Sequence, residues 1–259
     1  MTMQNLSKIQ RAIKFATKTH EIYQKQKRKG KDVSYITHPL TVGILLSSIG
    51  ADADVICAGI LHDTIEDSIE EKKVTAQMLA DRFGEKVAEL VLAVTETDKS
   101  LTWEERKEQA LEHIKTFSHE AILVKSADIV SNLTEMVDDH NKEGDQIFQR
   151  FNASKDKKIK NILETNTVLL EAWPESPLAQ ELSYLSGRVQ MMGAKEFMVE
   201  FPAKVIEYAD YDKEDQLECP LCHWKSEAKN GSIERGDELM DVSCPNCDKM
   251  LLVINYPLA

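Results

Sequence analysis

The stretch Leu61-His62-Asp63-Thr64-Ile65-Glu66-Asp67 decides how this chain is read. It closes an apolar, helix-patterned run that starts near Ala53, and it packs one imidazole and three carboxylates into a few consecutive positions. On a helix, residues three or four apart share a face. His62 with Glu66, and Asp63 with Glu66 or Asp67, are therefore expected to point into one cavity. One short segment can then bind a divalent cation and place water beside it.

Two other positions extend the set. His38 precedes Pro39, a pairing that favours an extended or turn conformation at 38 and sets the imidazole at a helix entrance. Asp128 lies in Ile122-Leu123-Val124-Lys125-Ser126-Ala127-Asp128-Ile129-Val130, where one carboxylate interrupts an apolar helix. Burying an unpaired carboxylate costs roughly several kcal/mol, so a cation or strong hydrogen bonds should accompany it. Two imidazoles and two carboxylates suit a divalent cation, and a second acidic pair one turn on suits the handling of water. The combination points to metal-assisted hydrolysis.

The flanking sequence predicts a mainly α fold. Leu6, Ile9, Ile13, Ala16 and Tyr23 recur at helical spacing, and Val42, Leu45, Leu46 and Ile49 run up to Gly50. Further helices are expected from Ala53 to Asp67, from Thr75 to Phe83 before Gly84, along Val87, Leu90, Val91 and Val94, and from a Thr102/Glu105 capping box to about Phe117. Ala121 to Val137, a long helix from about Gly144 to Trp173, and a shorter one begun by Ser176-Pro177 complete a multi-helix bundle.

Beyond Gly187 the texture becomes β-prone, with short runs at Phe197 to Phe201, Val205 to Tyr208 and Leu251 to Ile254. These are read as strands around two C-x-x-C pairs. Cys219-Pro220-Leu221-Cys222 and Cys244-Pro245-Asn246-Cys247 stand 21 residues apart and resemble the knuckles of a zinc ribbon, in which Cys219, Cys222, Cys244 and Cys247 surround one structural zinc. Two domains follow, 1–190 helical and 191–259 a small β-rich zinc ribbon. Such a module either folds around its zinc or also docks a protein or nucleic acid.

With 259 residues, 44 of them acidic against 32 basic, the chain is acidic overall, which argues against a protein built to coat nucleic acid or an anionic membrane. No apolar run reaches the roughly 18 residues of a membrane span, and Lys8, Arg11 and Lys14 leave no secretory apolar core, so a cytoplasmic protein is expected. Against this background the run Lys25, Lys27, Arg28, Lys29, Lys31 is a concentrated positive loop, suited to drawing in a highly charged nucleotide. His20, His113, His119 and His140 read as exposed or merely packed, and Cys57 as a small core residue.

The order His38, His62-Asp63, Asp128 resembles the HD superfamily of metal-dependent phosphohydrolases. Arg28-Lys29, Tyr35-Ile36-Thr37-His38-Pro39, the 61–67 stretch, Phe83-Gly84 and Lys125-Ser126-Ala127-Asp128 followed by Asn132 are similar to the hydrolase domain of RelA/SpoT-type enzymes. The likeness covers most of positions 5 to 190. It implies manganese-dependent removal of the 3′-pyrophosphate from guanosine tetra- or pentaphosphate. It makes His38, His62, Asp63 and Asp128 the manganese ligands and Glu66 and Asp67 the pair that orients or deprotonates water. Asn132 falls near the nucleotide's sugar, and Arg28 and Lys29 near the base or phosphates. Lys99, Arg106 and Lys107 fall where the family has further phosphate-binding residues.

The chain departs from that pattern at Ile129, where a basic residue usually follows the last ligand, and at Ser34, where a proline is common. Neither change removes a ligand, but the first bears on nucleotide preference. Two other readings stand beside the leading one: HD chemistry on another phosphorylated nucleotide, and a non-enzymatic nucleotide sensor with a zinc-ribbon docking module.

Overall fold

The computed structural model describes residues 2–96, 101–193, 204–220, 222–236 and 239–256. The chain divides into two compact units, Met1–Ser154 with Glu164–Leu182, and Lys155–Leu163 with Ser183–Ala259.

The first unit is helical. α1 (Met3–Thr17) is capped by Thr2, whose hydroxyl accepts from the Asn5 amide, and runs into a π-helical turn over Lys18–Tyr23. α2 (Thr37–Ser48), α3 (Ala53–Leu61), α4 (Thr64–Asp67), α5 (Ala76–Phe83) and α6 (Glu85–Val94) follow. α7 (Trp103–Ile114) starts on the expected Thr102/Glu105 capping box. α8 (His119–Glu143) is capped by Ser118 and is longer than its apolar pattern suggests. α9 (Lys155–Ala172) and α10 (Ala179–Gly193) contribute to both units. Among the described residues no helix is long and apolar enough to cross a membrane.

The core of this unit joins Ala12 and Ala16 of α1, Val42 and Leu46 of α2, Leu61 of α3, Leu79 of α5, Val87 and Val91 of α6, and Val124 and Ala127 of α8. Leu46 and Leu61 are wholly buried; burial of such a side chain contributes about 2 kcal/mol. α2 and α3 pack on each other and both pack on α8. Their approach depends on two glycines. A Cβ at Gly59 would stand 2.3 Å from Leu46 Cδ1, and one at Gly43 would stand 2.6 Å from Ile60 Cγ1. The crossing brings the start of α2 beside the end of α3, which is where His38 and His62 lie.

Two expected helices are broken. Ala53 to Asp67 is not continuous, because α3 stops at Leu61 and Asp63 is the N-cap of α4. His62 Nδ1 donates to the Gly59 carbonyl and Thr64 Oγ1 to the Leu61 carbonyl, so side chains take up backbone acceptors at the break. The long helix expected over 144–173 is likewise divided. Gly144, at φ +60° and ψ −150°, ends α8, a 3₁₀ segment over Gly144–Arg150 buries Ile147 and Phe148, and Phe151 is extended before α9 begins. His38 also sits inside the first turn of α2 and not in an extended residue before it. Pro39 is tolerated there because the first-turn N–H groups lack intrahelical acceptors in any case.

The second unit carries a sheet of order β1-β6-β5-β4. β1 (Lys204–Glu207) runs parallel to β6 (Met250–Asn255), which is antiparallel to β5 (Leu239–Ser243), itself antiparallel to β4 (Ser232–Arg235). β2 (Gln216–Glu218) and β3 (Lys225–Glu227) form a separate hairpin. Alternate residues Met240, Val242, Leu252 and Ile254 face one way and form a small core. The strands expected near 205 and 251 are β1 and β6; the one expected at Phe197 to Phe201 lies outside the described residues.

Candidate metal centre

His38 and His62 converge through their Nε2 atoms, which lie 3.3 Å apart. Their other nitrogens are engaged elsewhere: His62 Nδ1 with the Gly59 carbonyl at 2.8 Å, and His38 Nδ1 with Ser131 Oγ at 3.0 Å. A donated Nδ1–H leaves a lone pair on Nε2, the form in which an imidazole ligates metal. Asp128 Oδ1 stands 3.3 Å from His38 Nε2 and 3.7 Å from His62 Nε2. One ligand atom from each of His38, His62 and Asp128 lies within 4.8 Å of the others. Asp63 joins at the edge, its Oδ2 2.9 Å from His62 Nε2 and 3.9 Å from His38 Nε2.

The surroundings orient these groups. Tyr35 donates its hydroxyl to Asp63 Oδ2. Asn132 donates to Asp128 Oδ1 at 2.7 Å, and Lys125 to Asp128 Oδ2 at 2.9 Å. The local field favours positive charge. Burial opposes protonation of His62, but Asp63 and then Asp128 outweigh it and push the imidazole up to about 9. Burial likewise opposes ionisation of Asp63 and Asp128, yet His62 beside the first and Lys125 beside the second hold both below the usual carboxylate range. Paired buried imidazole nitrogens facing two partly exposed, ionised carboxylates fit a divalent cation.

Glu66 and Asp67 lie on α4, immediately after the helix break. Asp67 Oδ2 accepts from Gln26 Nε2 at 2.8 Å. Arg28 reaches the same region from the basic loop. Its Nη2 donates to Asn132 Oδ1 at 2.8 Å, and Nε donates to Glu135 Oε2 at 2.8 Å. Lys31 pairs with Glu135 Oε1 at 2.6 Å and with Asp139 at 2.5 Å. Asp128, Asn132, Glu135 and Asp139 recur along one face of α8, so a continuous polar row leads from the metal-type cluster to the loop.

Among the described residues, Lys29, Arg106 and Lys107 meet other partners. Lys29 Nζ stands 5.5 Å from the centre of the Phe151 ring. Arg106 Nη1 is 3.8 Å from Glu96, and Lys107 pairs with the same carboxylate. Lys99 lies outside the described residues. His113 and His119 meet Phe117 and Trp173, and His140 meets Phe148 and Asp145, as packed rings would. His20 differs from its expectation of bland packing: it is fully buried and bonded through Nδ1 to Gln26 Oε1. Tyr35, Ser131 and Glu135 also escape the sequence reading. Tyr35 alone left a signal, as part of the Tyr35 to Pro39 run.

In the second unit the four cysteine sulfurs gather within 4.8 Å of one another. Sγ separations are 3.5 Å for Cys219 to Cys247 and 3.4 Å for Cys222 to Cys244, without a disulfide. The two knuckles have matching backbones: the His223 amide donates to Cys219 O, the Asp248 amide to Cys244 O, and both His223 and Asp248 take positive φ. Burial, then neighbouring thiols, push Cys222 up to about 12 and raise Cys247. Thiols so placed ionise together only around a cation, which fits a four-sulfur metal site.

The HD domain profile matches residues 12–157. The chain belongs to the HD domain family. Among its relatives, a Danio rerio protein named guanosine-3′,5′-bis(diphosphate) 3′-pyrophosphohydrolase MESH1 is 40% identical over 126 residues, 48% of this chain and 66% of that one. An Aquifex aeolicus protein named guanosine-3′,5′-bis(diphosphate) 3′-pyrophosphohydrolase is 37% identical over 132 residues, 50% of this chain and 18% of that one. This HD-family chain therefore spans about two thirds of the first relative and under a fifth of the second. A solved structure described as a metazoan ortholog of SpoT that hydrolyses ppGpp aligns with a TM-score of 0.55 over 69% of this chain and 93% of its own, at 24% identity. That last likeness is one of fold.

Proposed function

We propose that this HD-family protein removes the 3′-pyrophosphate of guanosine tetra- or pentaphosphate with manganese held by His38, His62, Asp63 and Asp128. The observation that carries the reading is the convergence of both imidazole Nε2 atoms on Asp128 Oδ1, with the names of the relatives supplying the substrate class. Imidazole and carboxylate ligands suit manganese, and four thiolates at Cys219, Cys222, Cys244 and Cys247 suit a structural zinc. Clustered free thiols accord with work in the cytoplasm, where they stay reduced. Residues 1–190 would carry the chemistry and residues 191–259 the zinc module.

Manganese, when bound, supplies a Lewis acid for the phosphoryl group and acidifies water. Glu66 and Asp67 take the water's proton and orient its lone pair toward phosphorus. Asn132, bridging Asp128 and Arg28, meets the sugar. Arg28 and Lys29 meet the base or phosphates, the guanidinium plane suiting a guanine face and the ammonium a phosphate. Arg106 and Lys99 serve the phosphates further out.

A second reading, the same chemistry on another nucleotide, is favoured by one feature. Glu135 engages Arg28 and Lys31, and Ile129 replaces a usual cation, so fewer positive charges face a substrate. The purified protein with manganese should release pyrophosphate from guanosine tetraphosphate, and His62→Ala or Asp63→Ala should abolish release. Turnover of other nucleotides but not this one would support the second reading. Binding without turnover of any would leave a sensor.

A further inference from the structure

Among the described residues, His20 is the buried histidine that the metal-type cluster does not use. It stands in the π-helical turn Lys18–Tyr23, where the Gln24 amide reaches back to Thr19 O at 3.1 Å and the Gln26 amide to His20 O at 2.9 Å. Such a widened turn redirects side chains away from the register of the preceding helix. The His20 ring packs against Tyr35, centroids 5.0 Å apart, and Nδ1 lies 2.9 Å from Gln26 Oε1. Gln26 Nε2 in turn donates to Asp67 Oδ2 at 2.8 Å.

The chemistry of an amide fixes the proton. With the Gln26 nitrogen committed to a carboxylate, its oxygen must accept, so His20 Nδ1 carries the hydrogen and Nε2 the lone pair. Among the described residues, that buried Nε2 has no hydrogen-bond partner. A buried polar atom left unpaired costs about 1–3 kcal/mol, a cost a packing ring such as Phe would avoid. The imidazole is therefore retained at a cost to stability, and the bond it makes is the one to Gln26. Asp67 closes a helix only four residues long, and the Gln26 amide is one of the groups that orient its carboxylate.

We infer that His20 and Gln26 are positioning residues for Asp67: His20, as the Nδ1–H tautomer, orients the Gln26 amide, and the amide nitrogen fixes the Asp67 carboxylate for its work on water. The catalytic half of this rests on the hydrolase reading above. Misplacing a reacting group by about 1 Å can cost about a hundredfold in rate, so the chain His20–Gln26–Asp67 should act on kcat and leave substrate affinity alone.

The test uses the full-length, manganese-loaded protein and guanosine tetraphosphate with three variants. His20→Asn keeps a donor at the place of Nδ1. His20→Phe keeps a ring against Tyr35 and removes the donor. Gln26→Glu keeps the acceptor for His20 and replaces the donor toward Asp67 with a like charge. His20→Phe and Gln26→Glu should lower kcat about 10- to 100-fold, with KM, manganese content and melting temperature close to wild type, while His20→Asn restores most of the rate. Unchanged kcat in both, or His20→Asn as slow as His20→Phe, would overturn the inference, as would losses that follow manganese content. An inert wild-type protein would overturn the hydrolase reading instead. The hydrogen-bond chain is then decided by ¹⁵N imidazole spectra: an Nδ1-protonated His20 whose signals move in Gln26→Glu supports it, and an Nε2-protonated ring sinks it.

Discussion

His38 and His62 face each other nitrogen to nitrogen across 3.3 Å, although one begins α2 and the other caps the end of α3. A proton on His62, favoured by Asp63 and Asp128, holds the two nitrogens at that separation in the metal-free protein, and a divalent cation can take its place. The juxtaposition rests on packing remote from the two rings as much as on the rings themselves, because the α2–α3 approach at Gly43 and Gly59 sets it.

The first consequence concerns metal content. His62→Ala removes one of the two convergent nitrogens and the group nearest Asp63, leaving His38 and Lys125 beside the two carboxylates. Bound manganese per chain should fall from about one to near zero, with pyrophosphate release down by about a thousandfold or more, a barrier increase of about 4 kcal/mol. Elemental analysis of dialysed protein alongside the rate assay checks both. Full manganese content in the variant would remove His62 from the ligand set.

A second concerns acid. Burial alone would raise the Glu135 carboxyl, but hydrogen bonds from Arg28 and Lys31 outweigh it and hold it below its ordinary value of 4.5. A group depressed in the folded state stabilises above its unfolded value and loses that stabilisation as pH falls through the folded one. The wild type should lose urea resistance on passing from about pH 6 to about pH 3.5 more steeply than Glu135→Gln, by about 1 kcal/mol or less given the partial exposure of the pair. Parallel pH profiles would show that the Arg28 and Lys31 pairing does not couple to folding. At neutral pH the same variant removes one negative charge beside Arg28 and Lys31, which keep Asn132 and Asp139 as partners, and KM for a multiply phosphorylated nucleotide should fall several-fold.

How much of this was legible beforehand depends on the range of the interaction. The gathering of His38, His62, Asp63 and Asp128 was readable because these are rare types in apolar helical surroundings, and the two cysteine knuckles carry their spacing in the sequence. The break at His62 was not, because it is made by side chains capturing the Gly59 and Leu61 carbonyls, which periodicity does not register. The helix expected across 144–173 failed for a related reason: Ile147 and Phe148 continue an apolar stripe while Gly144 and Phe151 leave helical geometry. His20 and Glu135 were passed over because each acts through a partner distant in sequence, Asp67 by way of Gln26 in one case and Arg28 in the other.

A third prediction tests the packing that aligns the two histidines. Gly59→Ala would set a Cβ 2.3 Å from Leu46 Cδ1 and 3.1 Å from Val42 Cγ1, both in fully buried side chains. Overpacking of this kind costs about 1–3 kcal/mol. It would also displace the carbonyl that receives His62 Nδ1–H, so manganese should bind more weakly even where the protein stays folded. In a double-mutant cycle, Leu46→Ala should be less harmful in the Gly59→Ala background than alone, because the truncated side chain vacates the space the new methyl needs. Strict additivity would place the crossing of α2 and α3 elsewhere.

A fourth concerns the cysteine cluster and protons. Burial and adjacent sulfurs raise Cys222 to about 12 and lift Cys247 as well, so both thiols are protonated at neutral pH in the metal-free protein. Zinc takes thiolates, and each of these two groups must shed its proton on binding. With at least two protons released per zinc, apparent affinity should rise at least about 100-fold for each pH unit between about 6 and 8. Competition against a chromophoric chelator at several pH values measures the slope directly. A pH-independent affinity would mean that the thiols are already ionised in the metal-free protein. Cys222→Ser should abolish tight zinc binding while leaving manganese binding intact, because the manganese-type ligands all belong to the other compact unit, with its own core.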